Sequence, residues 1–183
     1  MKYFCLLIFS IFCISCKQHP VPKPYAFLDL KYKKPTYKSF ENHSSFSFEI
    51  SNQAVFTSEN NHWANIAYPM LKADIQLTYQ PVKNDILQLI SDAEKLTYKH
   101  TLKADHIEVY PYENQTTRVY ARIFDVSGDA ASPIQFQATD SVKHFITGAL
   151  YFRAVPNYDS ILPAVNYVKK DIRHLIETLE WKP

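Results

Sequence analysis

The chain is predicted to fold as an α+β layered sandwich, an antiparallel sheet of about six to seven strands packed against two amphipathic helices. Three observations predict this. Apolar and polar residues alternate with period two through the middle of the chain, two segments switch to a helical period, and the elements run in the order strands, helix, four-strand meander, helix. With 46% apolar and 15% aromatic residues, the 183-residue chain can fill one substantial core, and residues 41–183 have the length of one domain.

The first element is not part of that domain. Lys2 is followed by a nearly uninterrupted apolar run from Tyr3 to Ile14. A run of this length suits the core of a signal peptide and falls short of the ~20 residues a membrane-spanning helix needs. It ends in Ile14-Ser15-Cys16, an order that resembles the lipobox cut by signal peptidase II, although the position usually held by Leu is Cys13. Residues 1–15 are therefore expected to be a lipoprotein signal peptide and Cys16 the lipidated residue. The thiol is the nucleophile that takes the diacylglyceryl group, and cleavage then frees the Cys16 amine for further acylation. At ~0.8 kcal/mol per buried methylene, two or three chains make such an anchor effectively permanent. Cys5 and Cys13 would leave with the signal, so disulfides, thiolate metal sites and a cysteine nucleophile are excluded from the mature chain.

Residues 16–40 read as a spacer. Pro20, Pro22, Pro24 and Pro35 favour extended, partly polyproline backbone, and Lys31, Lys33, Lys34 and Lys38 can either meet anionic headgroups or stay solvated.

The domain opens with strand patterns. "SFSFEI", "WANIAY" and "ADIQLTY" alternate, the last setting Ile75, Leu77 and Tyr79 against Asp74, Gln76 and Thr78. The period then changes. In "NDILQLISDAEKLTYKH", Ile86, Ile90, Ala93 and Leu96 share a helix face, with Asn84 as the expected N-cap. Four strands follow as a meander, "HIEVYPY", "RVYARIFDV", "PIQFQAT" and "HFITGALYF", joined by turns at "ENQTT", "SGDAAS" and "ATDSVKHF", with Gly128 as a turn glycine. The last element is the clearest helix: Ile161, Val165, Val168, Ile172, Leu175 and Leu179 step by four and three. Asp159 or Ser160 is its expected cap, and Pro163 is expected within its first turn.

Several segments, "YKHTLKADHIE", "ASPIQFQATDSVKHFITGALYF", "DIRHLIETLEW" and the earlier "VPKPYAFLDL", together resemble the gliding motility lipoprotein GldD family of Bacteroidota, in order and over nearly the whole chain. The resemblance implies a lipid-anchored protein of the cell envelope, needed for gliding and associated with type IX secretion, whose partners are other gliding or secretion envelope proteins. It carries no catalytic residues across. Lys17-Gln18-His19 lacks the acidic run that resembles a surface-export signal in this phylum, so the expected place is the outer membrane, facing the periplasm.

The residues themselves offer little chemistry. Seven histidines show no HxH or HExxH spacing, so no metal and no cofactor is expected, and His100 near a helix end reads as a charge partner for the helix dipole. Asp140, Ser141 and His144 are the residue types of a hydrolase triad. Their crowding within five positions, and a chain with only two glycines and no GxSxG, favour a polar turn instead. A net charge of +2 without a basic stretch interleaved with aromatics beyond the spacer gives no footprint for nucleic acid. No small-molecule substrate is expected. What remains is a candidate partner-binding edge at Ser132, Pro133 and Gln135, because a proline entering a strand suits a sheet edge. A scaffold that works through protein contacts is thus the leading reading, and an envelope hydrolase with His144 or His100 as base is the alternative.

Overall fold

The computed structural model describes residues 32–41, 45–58, 62–100, 104–153 and 158–182. The signal peptide, Cys16 and the spacer up to residue 31 lie outside these residues. Seven strands form one antiparallel sheet in the order β3-β4-β5-β9-β8-β7-β6, from β3 (Val55–Ser58), β4 (Trp63–Tyr68), β5 (Ala73–Pro81), β9 (His144–Phe152), β8 (Ile134–Thr139) and β7 (Val119–Gly128) to β6 (Ala104–Asn114). A smaller sheet joins β1 (Tyr37–Phe40), β2 (Phe46–Ser51) and the two-residue β10 (Glu180–Trp181). Helix α1 (Ile86–His100) and helix α2 (Tyr158–Glu177) complete the expected α+β sandwich.

The core lies on one face of the large sheet. Register places Ile75 beside Leu150 and Tyr79 beside Ile146 across β5 and β9, and Phe136 beside Gly148 across β8 and β9. Onto this face α2 lays Val165, Val168, Ile172, Leu175 and Ile176, and Leu179 follows just past its end, all buried. Phe40, Phe46, Phe48 and Ile50 of β1 and β2 close the layer from the side, with the Phe40 and Phe48 rings 5.4 Å apart. Gly148 has a steric reason: a β-carbon there would stand 2.2 Å from the Phe136 ring.

The meander β6-β7-β8-β9 forms as the alternation predicts, and Gly128 takes φ 100° where β7 ends. Several expectations about element ends need correction. Asn84 is not the cap of α1, because it adopts a left-handed φ of 63°, which Asn tolerates, to turn the chain after β5. The Asp85 carbonyl instead accepts the Leu89 N–H at 3.0 Å. Helix α2 begins at Tyr158, so Asp159 and Ser160 lie inside its first turn and do not cap it, and Pro163 stands in its second turn, where the N–H it lacks would have met the exposed Asp159 carbonyl. The spacer is also shorter than its composition suggests. Tyr32 stacks on Tyr167 at 4.7 Å, the Tyr167 hydroxyl donates to the Lys33 carbonyl, and β1 pairs with β2, so residues 32–40 belong to the domain.

That segment is held by a buried carboxylate. Asp171 on α2, 4% exposed, accepts hydrogen bonds from the Tyr37 hydroxyl of β1 at 3.0 Å and from the buried Tyr68 hydroxyl of β4 at 3.1 Å. Burial pushes its pKa up, and the hydroxyl donors and nearby His174 only partly oppose that rise.

Candidate functional site

The turn between β8 and β9 brings Asp140, Ser141 and His144 together as a structural unit. Asp140 Oδ1 accepts the backbone N–H groups of Val142, Lys143 and His144 at 2.8–2.9 Å. Burial would raise the Asp140 pKa, but these three donors and the imidazole hold it below its ordinary value. Ser141 sits exposed at the tip with φ 67°, and its N–H donates to Thr139 Oγ1.

His144 is not a surface residue. Its Nδ1 lies 2.9 Å from the Tyr79 hydroxyl, and its ring stacks on Trp181 at 5.2 Å and 5°. Burial lowers its pKa, helped by Lys143, so it is neutral at pH 7. A base whose Nδ1 is tied to a tyrosine and whose face is covered by an indole is a packing residue. The Asp140 oxygen that orients the turn is spent on backbone donors. The side chain of His100 lies outside the described residues. Among the described residues, no three His, Cys, Asp or Glu side chains gather as a metal site, and no helix is long and apolar enough to cross a membrane.

The expected edge at Ser132, Pro133 and Gln135 is corrected by the topology. β8 lies inside the sheet, between β7 and β9. Ser132 and Pro133 are buried, the Pro133 carbonyl accepts the Val126 N–H at 2.8 Å, and Gln135 Oε1 accepts the Thr97 hydroxyl at 2.9 Å beneath α1. The rule that a mid-strand proline marks an edge applies to another residue. Pro111 lies within β6, whose outer side pairs with no strand among the described residues.

Beside that edge runs a groove of about 300 Å³ between β6 and α2, lined by Tyr110, Pro111, Tyr112, Ile123, Arg173 and Glu177 among others. The Lys169 ammonium stands 4.5 Å over the Tyr110 ring while pairing with Asp125, and the Arg173 guanidinium lies 5.9 Å from the same ring. Tyrosine and arginine at a groove beside an open edge are the residue types enriched where proteins meet. Sequence reasoning passed over this place, although the proline in "HIEVYPY" was its signal.

Fold and site together define an antiparallel α+β sandwich in which Asp140 and His144 are tied into the packing of the turn between β8 and β9, with an outer strand, β6, left unpaired on one side among the described residues beside an aromatic and basic groove. A solved structure with the same fold is the solution structure of cyanobacterial PsbP (CyanoP) from Synechocystis, which is 5% identical, superposes with a TM-score of 0.50, and covers 79% of this chain and 92% of its own. No match is found among curated proteins. The family model described as gliding motility lipoprotein GldD matches residues 17–181, and the chain belongs to that family.

Proposed function

We propose that the chain is a non-enzymatic envelope lipoprotein that supports gliding motility and the type IX secretion machinery by binding other envelope proteins. The single observation that carries the contact reading is the open outer edge of β6 with its Tyr110, Tyr112 and Arg173 groove. An added strand would satisfy the free backbone groups, and the groove would take the side chains that give specificity. In this reading the acyl chains on Cys16 hold the domain on the outer membrane's inner leaflet, facing the periplasm. The hydrolase alternative loses ground because His144 is buried against Tyr79 and Trp181.

Val109 on β6 is 40% exposed, and lysine on an edge strand opposes pairing with another strand. Val109→Lys is therefore expected to change stability by no more than about 1 kcal/mol. In a gliding host deleted for its own copy, it should fail to restore spreading and secretion and should lose co-purifying envelope proteins. Ser141→Ala should restore both. Normal spreading and secretion with Val109→Lys, Tyr112→Ala and Arg173→Glu combined would sink the edge reading. A separate test concerns the anchor: Cys16→Ser should abolish incorporation of a palmitate analogue, and label retained by that variant would remove Cys16 as the acylated residue.

A further inference from the structure

The second face of the large sheet carries a different chemistry. Helix α1 packs on this face over β8 and β9 and reaches β7 through the Glu94–Arg122 ion pair, and β3 and β4 lie towards the far edge of the sheet. Cross-strand register sorts the side chains into rows. One row runs Trp63, Thr78, Thr147, Gln137, and the next runs Thr57, Asn65, Gln76, Ala149, Gln135. Where these rows pass under the flank of α1 they floor a cleft of about 180 Å³, walled by Ala93, Leu96 and Thr97 and edged by Tyr151. One ordered water needs only ~10–15 Å³, so the cleft has room for a larger guest.

Three properties of this cleft point to one ligand class. No charged side chain lines it, and its polar groups are amides and hydroxyls, which both donate and accept. That lining disfavours an anionic polymer, which needs cations, and a wholly apolar partner, which would leave the amides and hydroxyls unmet, while Ala93, Leu96 and Phe124 offer apolar surface beside them. Second, buried polar atoms are normally paired, yet four buried side-chain atoms among the described residues have no partner. Three of them, Asn65 Oδ1, Gln135 Nε2 and Gln137 Oε1, stand in these two rows.

Gln135 and Gln137 are 8% and 6% exposed. The orientation of Gln137 is set by its donation to Glu94 at 3.4 Å, which leaves its carbonyl oxygen as the unused group. Third, Trp63 is 60% exposed on the same face, directly beside Thr78 of the cleft floor. An indole of this kind offers a flat apolar surface to a ring whose own faces are C–H and whose rim is polar.

We propose that this face is a binding site for an uncharged glycan, with a sugar ring in the cleft between β5 and α1 and the next ring on Trp63. Neighbouring hydroxyls and an acetamido group can each supply the donor and acceptor that Gln135 and Gln137 lack. The site is separate from the β6 edge, so the two proposals stand or fall independently.

The test uses the full-length lipoprotein in detergent micelles, titrated calorimetrically with chitotetraose and with maltotetraose. Saturable binding is expected for at least one, weakened about tenfold or more by Trp63→Ala and by Gln137→Ala, while Tyr112→Ala in the other groove leaves it unchanged. Binding of chitotetraose alone assigns the acetamido group as the recognised feature, and equal binding of both assigns the hydroxyls. Trp63 is exposed, so its variant keeps the test decisive even where Gln137→Ala lowers stability. Failure of both sugars to bind, or binding indifferent to Trp63→Ala, would overturn the proposal and leave ordered water as the guest of the cleft.

Discussion

Gly148→Val is expected to remove about 3 kcal/mol of stability, a large part of the ~5–15 kcal/mol that a domain of this size commands. Gly148 pairs with Leu77 on one side and Phe136 on the other, on the core face of the central strands. A single added carbon already meets Phe136 Cε1 and Cζ at 2.2 Å and Leu77 Cδ2 at 3.0 Å. Phe136 is 3% exposed, so its ring has nowhere to swing. Gly148→Ala should cost less, about 1–3 kcal/mol. Adding Phe136→Leu to that variant should recover part of the loss, because shortening the ring vacates the space the new carbon needs, and contacting pairs couple by about 0.5–3 kcal/mol. Urea unfolding of the two single variants and the double variant reads this directly. Strict additivity would show that the clash is relieved elsewhere and that the close approach is not what selects glycine.

Asp171→Ala is expected to cost about 3 kcal/mol, since it orphans the buried Tyr68 hydroxyl and frees the Tyr37 hydroxyl that ties β1 to α2. Asp171→Asn should cost far less, because the side-chain oxygen remains and the tyrosine hydroxyls can rotate. The pH dependence has a definite sign. The folded-state pKa of Asp171 is raised, chiefly by burial, so between the unfolded and folded values the native state binds more protons than the unfolded one. Wild-type stability from this group is therefore highest below the unfolded pKa of about 3.9 and falls as pH rises towards the folded value, after which it is flat. Measured against Asp171→Asn by urea midpoints from mildly acidic to neutral pH, the wild type should lose ground over that window. A wild type that gains on the variant as pH rises through the window would show that its hydroxyl donors outweigh burial.

The two helices, the meander and the core face were legible because each depends on local periodicity. Ile161, Val165, Val168, Ile172 and Leu175 must share a helix face at 3.6 residues per turn, and Ile134, Phe136 and Ala138 must share a strand face at period two, whatever else the chain does. The turn at Asp140 was legible for a similar reason, since an Asx side chain can meet backbone donors two to four residues ahead without help from the rest of the fold.

The proline at 133 shows where local reading ends. Entering a strand after a proline is a local event, but whether that strand stands at an edge depends on which others flank it. β9 returns to pair with β5, so β8 is enclosed and β6 is left outside. The spacer failed for the same kind of reason. Tyr37 reads as a tyrosine among lysines and prolines, and it becomes part of the domain through Asp171, which lies 134 residues away.

By itself the sequence determined the fold class, the place and period of the helices and central strands, and the residues that must face the core, because spacing along a chain fixes which side chains share a face. Only the tertiary structure decided that β6 and not β8 is an outer strand of the sheet, that His144 is enclosed by Tyr79 and Trp181, and that Asn65, Gln135 and Gln137 bring hydrogen-bonding groups unused among the described residues to one face. Edges, enclosure and unmet polar atoms are properties of what lies across from a residue, and strand order is set by the packing of the whole sheet against α2 and α1.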